Sequence, residues 1–285
     1  MIRLMTHNVW NCDNNHPAWE AKGEDCSAAA RIDGLIQIYR DTQPDIIGCQ
    51  EVSGLMADLL KERSHEAGLD YTLIWGRYTP ILYRADKFEL VDSAFGTYPE
   101  HIEGCEGTFN DVRSKAWNLG VFREKASGKL FIFCTTHLWW KSGDVSKNMS
   151  APDSYQAFSN EAREYQIALL VKKALEYREK YGCPVVLVGD LKTDYNSKAV
   201  AHLFANGFRH AHDIATEYAE ESVGYHYCFP AGYEKQYYDK PFEWAIDHIV
   251  LLGEPEGAVK RFERYSPDYY LPISDHSPAY IDLEL

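Results

Sequence analysis

The sequence predicts an α/β (α+β) sandwich: two mixed β-sheets packed face to face, with helices on the outside. Three observations lead there. Short runs of apolar, often β-branched residues recur along the chain, at 2–5, 45–48, 131–133 and 185–188, and read as buried strands. Hairpins and helices alternate between them without strict strand–helix–strand repetition, which favours two packed sheets over one parallel sheet. Finally, the runs end in acidic, amide or imidazole side chains, as if their ends share one location.

The elements follow in order. A strand is expected at 2–9, a helix near 26–41, a strand at 45–50 and a helix at 54–67. Ser53 is the expected N-cap of that helix and Gly68 its stop. Strands at 71–76 and 80–84 come next. Residues 117–137 read as a hairpin, 117–123 against 130–137, about a turn at 126–129. The longest helix is expected at 155–181. Phe158, Ala162, Tyr165, Leu169, Ala174, Tyr177 and Tyr181 recur there at helical spacing, and Gly182 and Pro184 end it. A strand at 185–190 precedes a short helix opened by Ser197, with Val200, Leu203 and Phe204 inward. The tail is expected to pair 244–252 with 279–283 as strands.

No internal repeat or Pro/Gly-rich linker divides the 285 residues, so 1–285 reads as a single domain. A chain of this size buries about 75% of its unfolded surface and needs no covalent staples. The balance of 29 basic against 43 acidic side chains, −14 overall, counts against a broad duplex-DNA surface. Seven cysteines without a C-x-x-C pair suit a reducing compartment, and the cytoplasm is expected. No apolar stretch approaches the roughly 20 residues of a spanning helix. No obligate protein partner is evident.

If the apolar runs neighbour one another, one edge collects Asn8, Glu51, His137, Asp190, Asp247, Asp275 and His276. A carboxylate-rich pocket with two histidines suits a hard divalent cation and a phosphate ester. Spacing alone leaves Glu51 between a metal ligand and a solvated strand end. Asn8 stands between a neutral oxygen ligand, acceptable to Mg²⁺ or Mn²⁺, and an Asx-turn closing its strand. His7 and His248 read as structural, Asp247 as a strand cap, and His137 alone as a satisfied core residue.

In order and local context, Thr6-His7-Asn8-Val9, Gln50-Glu51-Val52, Thr136-His137-Leu138, Gly189-Asp190-Leu191, Ile246-Asp247-His248 and Ser274-Asp275-His276 resemble the endonuclease/exonuclease/phosphatase (DNase I-like) superfamily. The resemblance spans nearly the whole chain. It implies a four-layer DNase I-like sandwich and a Mg²⁺- or Mn²⁺-dependent phosphoesterase. It further implies that Glu51 and Asp275 are metal ligands and that Asn8 ligates or orients. His276 would be a catalytic histidine partnered by Asp247. His137 would contact the phosphate, and Asp190 would hold the attacking water. Arg163 and Gln166 match a pattern expected to buttress the site.

One position departs from the family pattern, which usually has asparagine where this chain has Lys192. An ammonium has donors only and cannot ligate a cation. Lys192 could stand in for a second cation, pair with Asp190 and slow the enzyme, or be an engineered change. The expected substrate is a phosphorylated small molecule or single-stranded nucleic acid, hydrolysed as a mono- or diester. The alternative is a catalytically impaired relative that only binds a phosphate ligand. Trp139 and Trp140 are expected to touch substrate, Asn110 with Ser114 and Lys115 to line the cleft, and the aromatic stretch 225–244 to shape the pocket.

Overall fold

The central strands carry apolar residues at nearly every position, because both of their faces are covered. The computed structural model describes residues 1–144, 154–218, 226–228, 235–237, 242–265 and 273–285, with 226–228, 235–237 and Phe242 described by backbone alone. The strands are β1 (Ile2–Asn8), β2 (Ile46–Gln50), β3 (Tyr71–Ile74), β4 (Ile81–Arg84), β5 (Phe88–Thr97), β6 (Ala116–Glu124), β7 (Leu130–His137), β8 (Val185–Asp190), β9 (Arg209–His210), β10 (Glu217–Tyr218), β11 (His226–Cys228), β12 (Lys235–Tyr237), β13 (Asp247–Leu252), β14 (Val259–Arg264) and β15 (Ala279–Leu283). The helices are α1 (Pro17–Glu20), α2 (Ala28–Thr42), α3 (Gly54–Glu66), α4 (Ser159–Tyr181), α5 (Lys198–Ala205) and α6 (Ala211–Ile214).

One sheet runs β10-β14-β15-β1-β2-β4-β3 and the other β5-β6-β7-β8-β13-β9. Leu4, Ile46, Phe122, Phe131, Val186, Ile249, Phe262 and Ile281 fill the space between them. Ile32, Leu35 and Leu60 cover the outer face of the first sheet from α2 and α3, against Met5 and Ile47. Leu170 and Leu203 of α4 and α5 cover the second, against Ile132 and Leu187. The layers are therefore helix, sheet, sheet, helix, as expected. At Gly48 the sheets approach closely: a Cβ there would lie 2.6 Å from Val188 Cγ2 and 2.8 Å from Thr135 Cβ.

Local signals act where the sequence put them. Ser53 Oγ accepts the Met56 N–H at 3.0 Å, Ser197 Oγ accepts that of Val200 at 3.3 Å, and Gly68 takes a left-handed φ of 73° after α3. Three expectations need correction. Strands 244–252 and 279–283 do not pair. β13 lies beside β8 and β9, whereas β15 lies between β1 and β14, in the opposite sheet. Helix α4 begins at Ser159, four residues late, after Phe158 takes a left-handed φ of 63°. Its fully buried face is Ala162, Arg163, Gln166, Ile167, Leu170, Val171 and Ala174, while Phe158 and Tyr165 are exposed, so aromatic spacing misassigned the phase. Strands β5 and β14 were not anticipated: both are polar, partly exposed members whose alternation is diluted by charge. Among the described residues no helix is long and apolar enough to cross a membrane.

Candidate active site

Strand register brings the scattered segments together. β1 and β2 run parallel with Asn8 opposite Gln50, so Glu51 emerges beside Asn8. In the other sheet, parallel β7 and β8 set His137 opposite Asp190, and antiparallel β13 sets Asp247 opposite Asp190. Ser274 Oγ donates to the Asn8 carbonyl at 2.6 Å, which fixes the segment carrying Asp275 and His276 at the same edge. The sheets meet through Asn8, whose Nδ2 donates to Glu51 Oε1 at 3.0 Å and to Asp190 Oδ2 at 2.9 Å.

Three residues here hold left-handed backbone without being glycine: Trp10 (φ 61°), Glu51 (φ 61°) and Lys192 (φ 52°). Such conformations persist only where surrounding contacts impose them, and they cluster at functional sites. For Glu51, the Asn11 N–H donates to Oε2 at 3.0 Å. For Lys192, its own N–H donates to Asp190 Oδ1 at 2.9 Å. Gly189 (φ 151°) lies so close to β7 that a Cβ would stand 2.2 Å from the Thr136 carbonyl oxygen.

The centre is a dense charge cluster. Lys192 Nζ lies 2.7 Å from Asp190 Oδ2, 3.5 Å from Glu51 Oε1 and 3.4 Å from His276 Nε2. His137 Nε2 stands 3.6 Å from both Glu51 Oε1 and Asp190 Oδ2. Burial pushes the Glu51 and Asp190 carboxyls up, but the Lys192 ammonium and nearby histidines outweigh it and hold both well below the usual carboxylate range. Burial lowers Lys192, yet Asp190 and Glu51 raise it further, so it stays charged. His137 is driven well below its ordinary value by burial and Lys115, and is neutral. His276 Nδ1 meets Asp247 Oδ2 at 2.8 Å; burial lowers it, but Asp247 outweighs that and lifts it to about 9. Burial, with Glu51 and Asp190, pushes Asp275 up to about 6.

Glu51, His137 and Asp190 form one group able to hold a cation, and Asp190, Asp247 and His276 another. Asp275 Oδ1 is buried without a hydrogen-bond partner. An orphaned carboxylate oxygen beside further carboxylates fits a hard divalent cation. The ammonium of Lys192 competes for the same oxygens.

Two substrate-contact expectations fail. Trp139 is 3% exposed and packs edge-on against Phe109, so it belongs to the protein interior. Trp140 is 40% exposed and lines an open cavity of about 320 Å³ with His137 and Lys192. Asn110 is buried, with its amide spent on the Tyr98 and Lys115 carbonyls (2.7 and 2.9 Å) and on the Lys115 N–H (2.9 Å), leaving nothing for a ligand. Asn8 Oδ1 accepts the Trp10 N–H at 3.0 Å while its Nδ2 holds Glu51 and Asp190, so the amide is fixed among the carboxylates. Arg163 donates to the Trp139 and Lys141 carbonyls, and Gln166 bridges the Trp139 N–H and Phe109 carbonyl, which fixes the loop after His137. Tyr225, Phe229, Pro230, Tyr233 and Tyr238, and Lys147 with Asn148, lie outside the described residues.

Arg31 was missed. It is 2% exposed and donates to the carbonyls of Val9, Trp10, Cys12, Cys26 and Ile273, tying the loop after β1 to the segment before Asp275. A basic residue on the apolar stripe of Ala28, Ile32 and Leu35 was its only sequence signal. A larger hollow of about 520 Å³ between α3 and β3 lies away from this chemistry.

The Endonuclease/Exonuclease/phosphatase family profile matches residues 5–276. The chain belongs to that family. Its members are in general hydrolases of phosphoesters. Solved structures that match include an endonuclease/exonuclease/phosphatase from Bacteroides vulgatus, 24% identical with a TM-score of 0.72, over 100% of this chain and 98% of that one. A mannosyl-6-phosphatase from Bacteroides thetaiotaomicron is 19% identical with a TM-score of 0.72, over 100% of both chains. TDP2 from D. rerio, complexed with single-strand DNA product, is 15% identical with a TM-score of 0.64, over 100% of this chain and 99% of that one. At these identities the likeness establishes the shared fold. No curated protein matches the sequence.

Proposed function

We propose that the chain is a divalent-metal-dependent phosphoesterase acting on a phosphorylated small molecule or a single-stranded end. One observation carries the reading: residues as far apart as Asn8, Glu51, Asp190 and His276 meet around one charge cluster, bridged by the Asn8 amide and the Lys192 ammonium. Glu51 and Asp275 would hold Mg²⁺ or Mn²⁺. Such an ion, when bound, would neutralise phosphoryl charge. Asp190, held low, is a weak base, so its part is to orient the attacking water by accepting a hydrogen bond. His276, charged at neutral pH through Asp247, donates from Nε2 to a phosphoryl or leaving oxygen. Asn8 fixes Glu51 and Asp190, and Lys192 adds positive charge where the family pattern usually has asparagine.

A second reading, a phosphate-ligand binder with an impaired centre, draws on the 2.7 Å pairing of Lys192 with Asp190. One experiment separates them: a panel of phosphate esters with Mg²⁺, Mn²⁺ or chelator, for the natural chain and Lys192→Asn. The phosphoesterase reading expects turnover that chelator abolishes. No turnover by the natural chain and recovery in Lys192→Asn would establish the impaired centre instead.

A further inference from the structure

Lys115 is a buried charge that the chemistry above leaves unused. It precedes β6 and is 5% exposed, yet among the described residues no carboxylate lies within 4.0 Å of its ammonium. Its Nζ instead stands 3.2 Å from His137 Nε2 and 3.5 Å from Nδ1. An ammonium taken out of water without a paired counter-ion is costly, and burial pushes Lys115 down to about 8 against the upward pull of Glu51, Asp111 and Asp190. The fold nonetheless fixes it there. Asn110 clamps both the N–H and the carbonyl of Lys115, and the Tyr98 N–H donates to that same carbonyl at 2.9 Å. Lys115 lines the 320 Å³ cavity together with Lys192, His137, Tyr78 and Trp140, and the Glu51 and Asp111 carboxylates line it too, beyond pairing distance of the Lys115 ammonium.

A buried cation held in place with no carboxylate close enough to pair points to an anionic ligand. We propose that Lys115 and Lys192, which line one cavity with His137, form a two-ammonium cradle for a terminal phosphate dianion, and so select phosphomonoesters over phosphodiesters. The proposal rests on the phosphoester reading of the same site. A monoester phosphate brings two negative charges and three non-bridging oxygens, enough to serve both ammonium groups. A diester brings one charge and two such oxygens, and its second alkyl group meets the cradle. One buried ammonium then stays unpaired, and that penalty discriminates between the substrates. Asn110 thereby becomes a positioning residue for Lys115.

The test compares kcat/KM for p-nitrophenyl phosphate and bis(p-nitrophenyl) phosphate in the natural chain, Lys115→Met and Lys115→Arg. Calorimetric titration with inorganic phosphate provides a readout that needs no turnover. The natural chain should favour the monoester. Lys115→Met should lower monoester kcat/KM and phosphate affinity by about tenfold or more, the loss expected for a charge-assisted hydrogen bond. The diester should change by less than about threefold, and Lys115→Arg should keep most of the phosphate affinity. Competition by a hexose 6-phosphate and by a 5′-phosphorylated oligonucleotide separates the two sources of a terminal phosphate.

A natural chain that prefers the diester, equal losses on both esters in Lys115→Met, or inhibition by neither competitor overturns the proposal. The natural-chain preference and phosphate affinity need no variant to fold. If no ester is hydrolysed but phosphate binds in a Lys115-dependent way, the catalytic reading fails while the cradle stands.

Discussion

Replacing Asp247 by asparagine removes one charge and leaves an oxygen able to accept the His276 Nδ1 hydrogen bond. Asp247, with smaller help from Asp190 and Asp275, lifts His276 from 6.5 to about 9 against burial and Lys192, which corresponds to a preference for the charged imidazolium on the order of 3 kcal/mol. In Asp247→Asn the largest opposition to burial is gone, and His276 should fall back toward its ordinary 6.5. At about pH 8 the protonated fraction then falls from about 90% to about 3%, so kcat/KM should drop about thirtyfold, with a smaller deficit in more acidic buffer. Stability follows the same sign. A histidine raised in the folded state contributes stability that is complete below about 6.5 and lost as pH rises through about 9, and the variant should lack that contribution. A pH–rate profile of both proteins, paired with NMR titration of the His276 ring, reads the effect. A basic limb that stays near its natural position in Asp247→Asn would refute this role.

The remaining predictions concern the frame around the cluster. Gly189→Ala sets a Cβ 2.2 Å from the Thr136 carbonyl oxygen and 2.9 Å from its nitrogen, both backbone atoms, at a φ of 151°. Overpacking and backbone strain together should cost at least about 3 kcal/mol in urea unfolding; a loss under about 1 kcal/mol would contradict the close β7–β8 approach. Trp139→Ala should cost about 3–5 kcal/mol as a core truncation. Trp140→Ala should change stability by less than about 0.5 kcal/mol and raise KM instead. The reverse pattern in melting curves and kinetics would exchange their roles.

Much of this arrangement was legible in the sequence, for a physical reason. Buried strands declare themselves through continuous apolar runs, and a polar residue directly after one sits at a sheet edge. That logic found Asn8, Glu51, His137 and Asp190. It could not tell which sheet a strand joins, because β13 and β15 look alike as sequence; the pairing depends on long-range register. Nor could it weigh adjacent tryptophans, since only the loop geometry fixed by Arg163 and Gln166 turns Trp139 inward and Trp140 outward. The inward face of α4 carries arginine and glutamine, which blurred its hydrophobic phase. Left-handed backbone at Trp10, Glu51 and Lys192 left no signal, because none of them is glycine or asparagine. Asn110 was legible as polar and near the cleft, but its saturation by backbone groups appears only once the loop closes on Lys115.

The central claim is that carboxylates from both ends of the chain converge to hold a divalent cation. Its most direct test is a crystal of the natural chain soaked in Mn²⁺, with anomalous diffraction recorded alongside calorimetric Mn²⁺ titration of the natural chain and Glu51→Ala. The account predicts one strong anomalous peak against the Glu51 and Asp275 carboxylates, and a titration largely abolished by Glu51→Ala. No peak in that hollow, with equal Mn²⁺ affinity in both proteins, would contradict it.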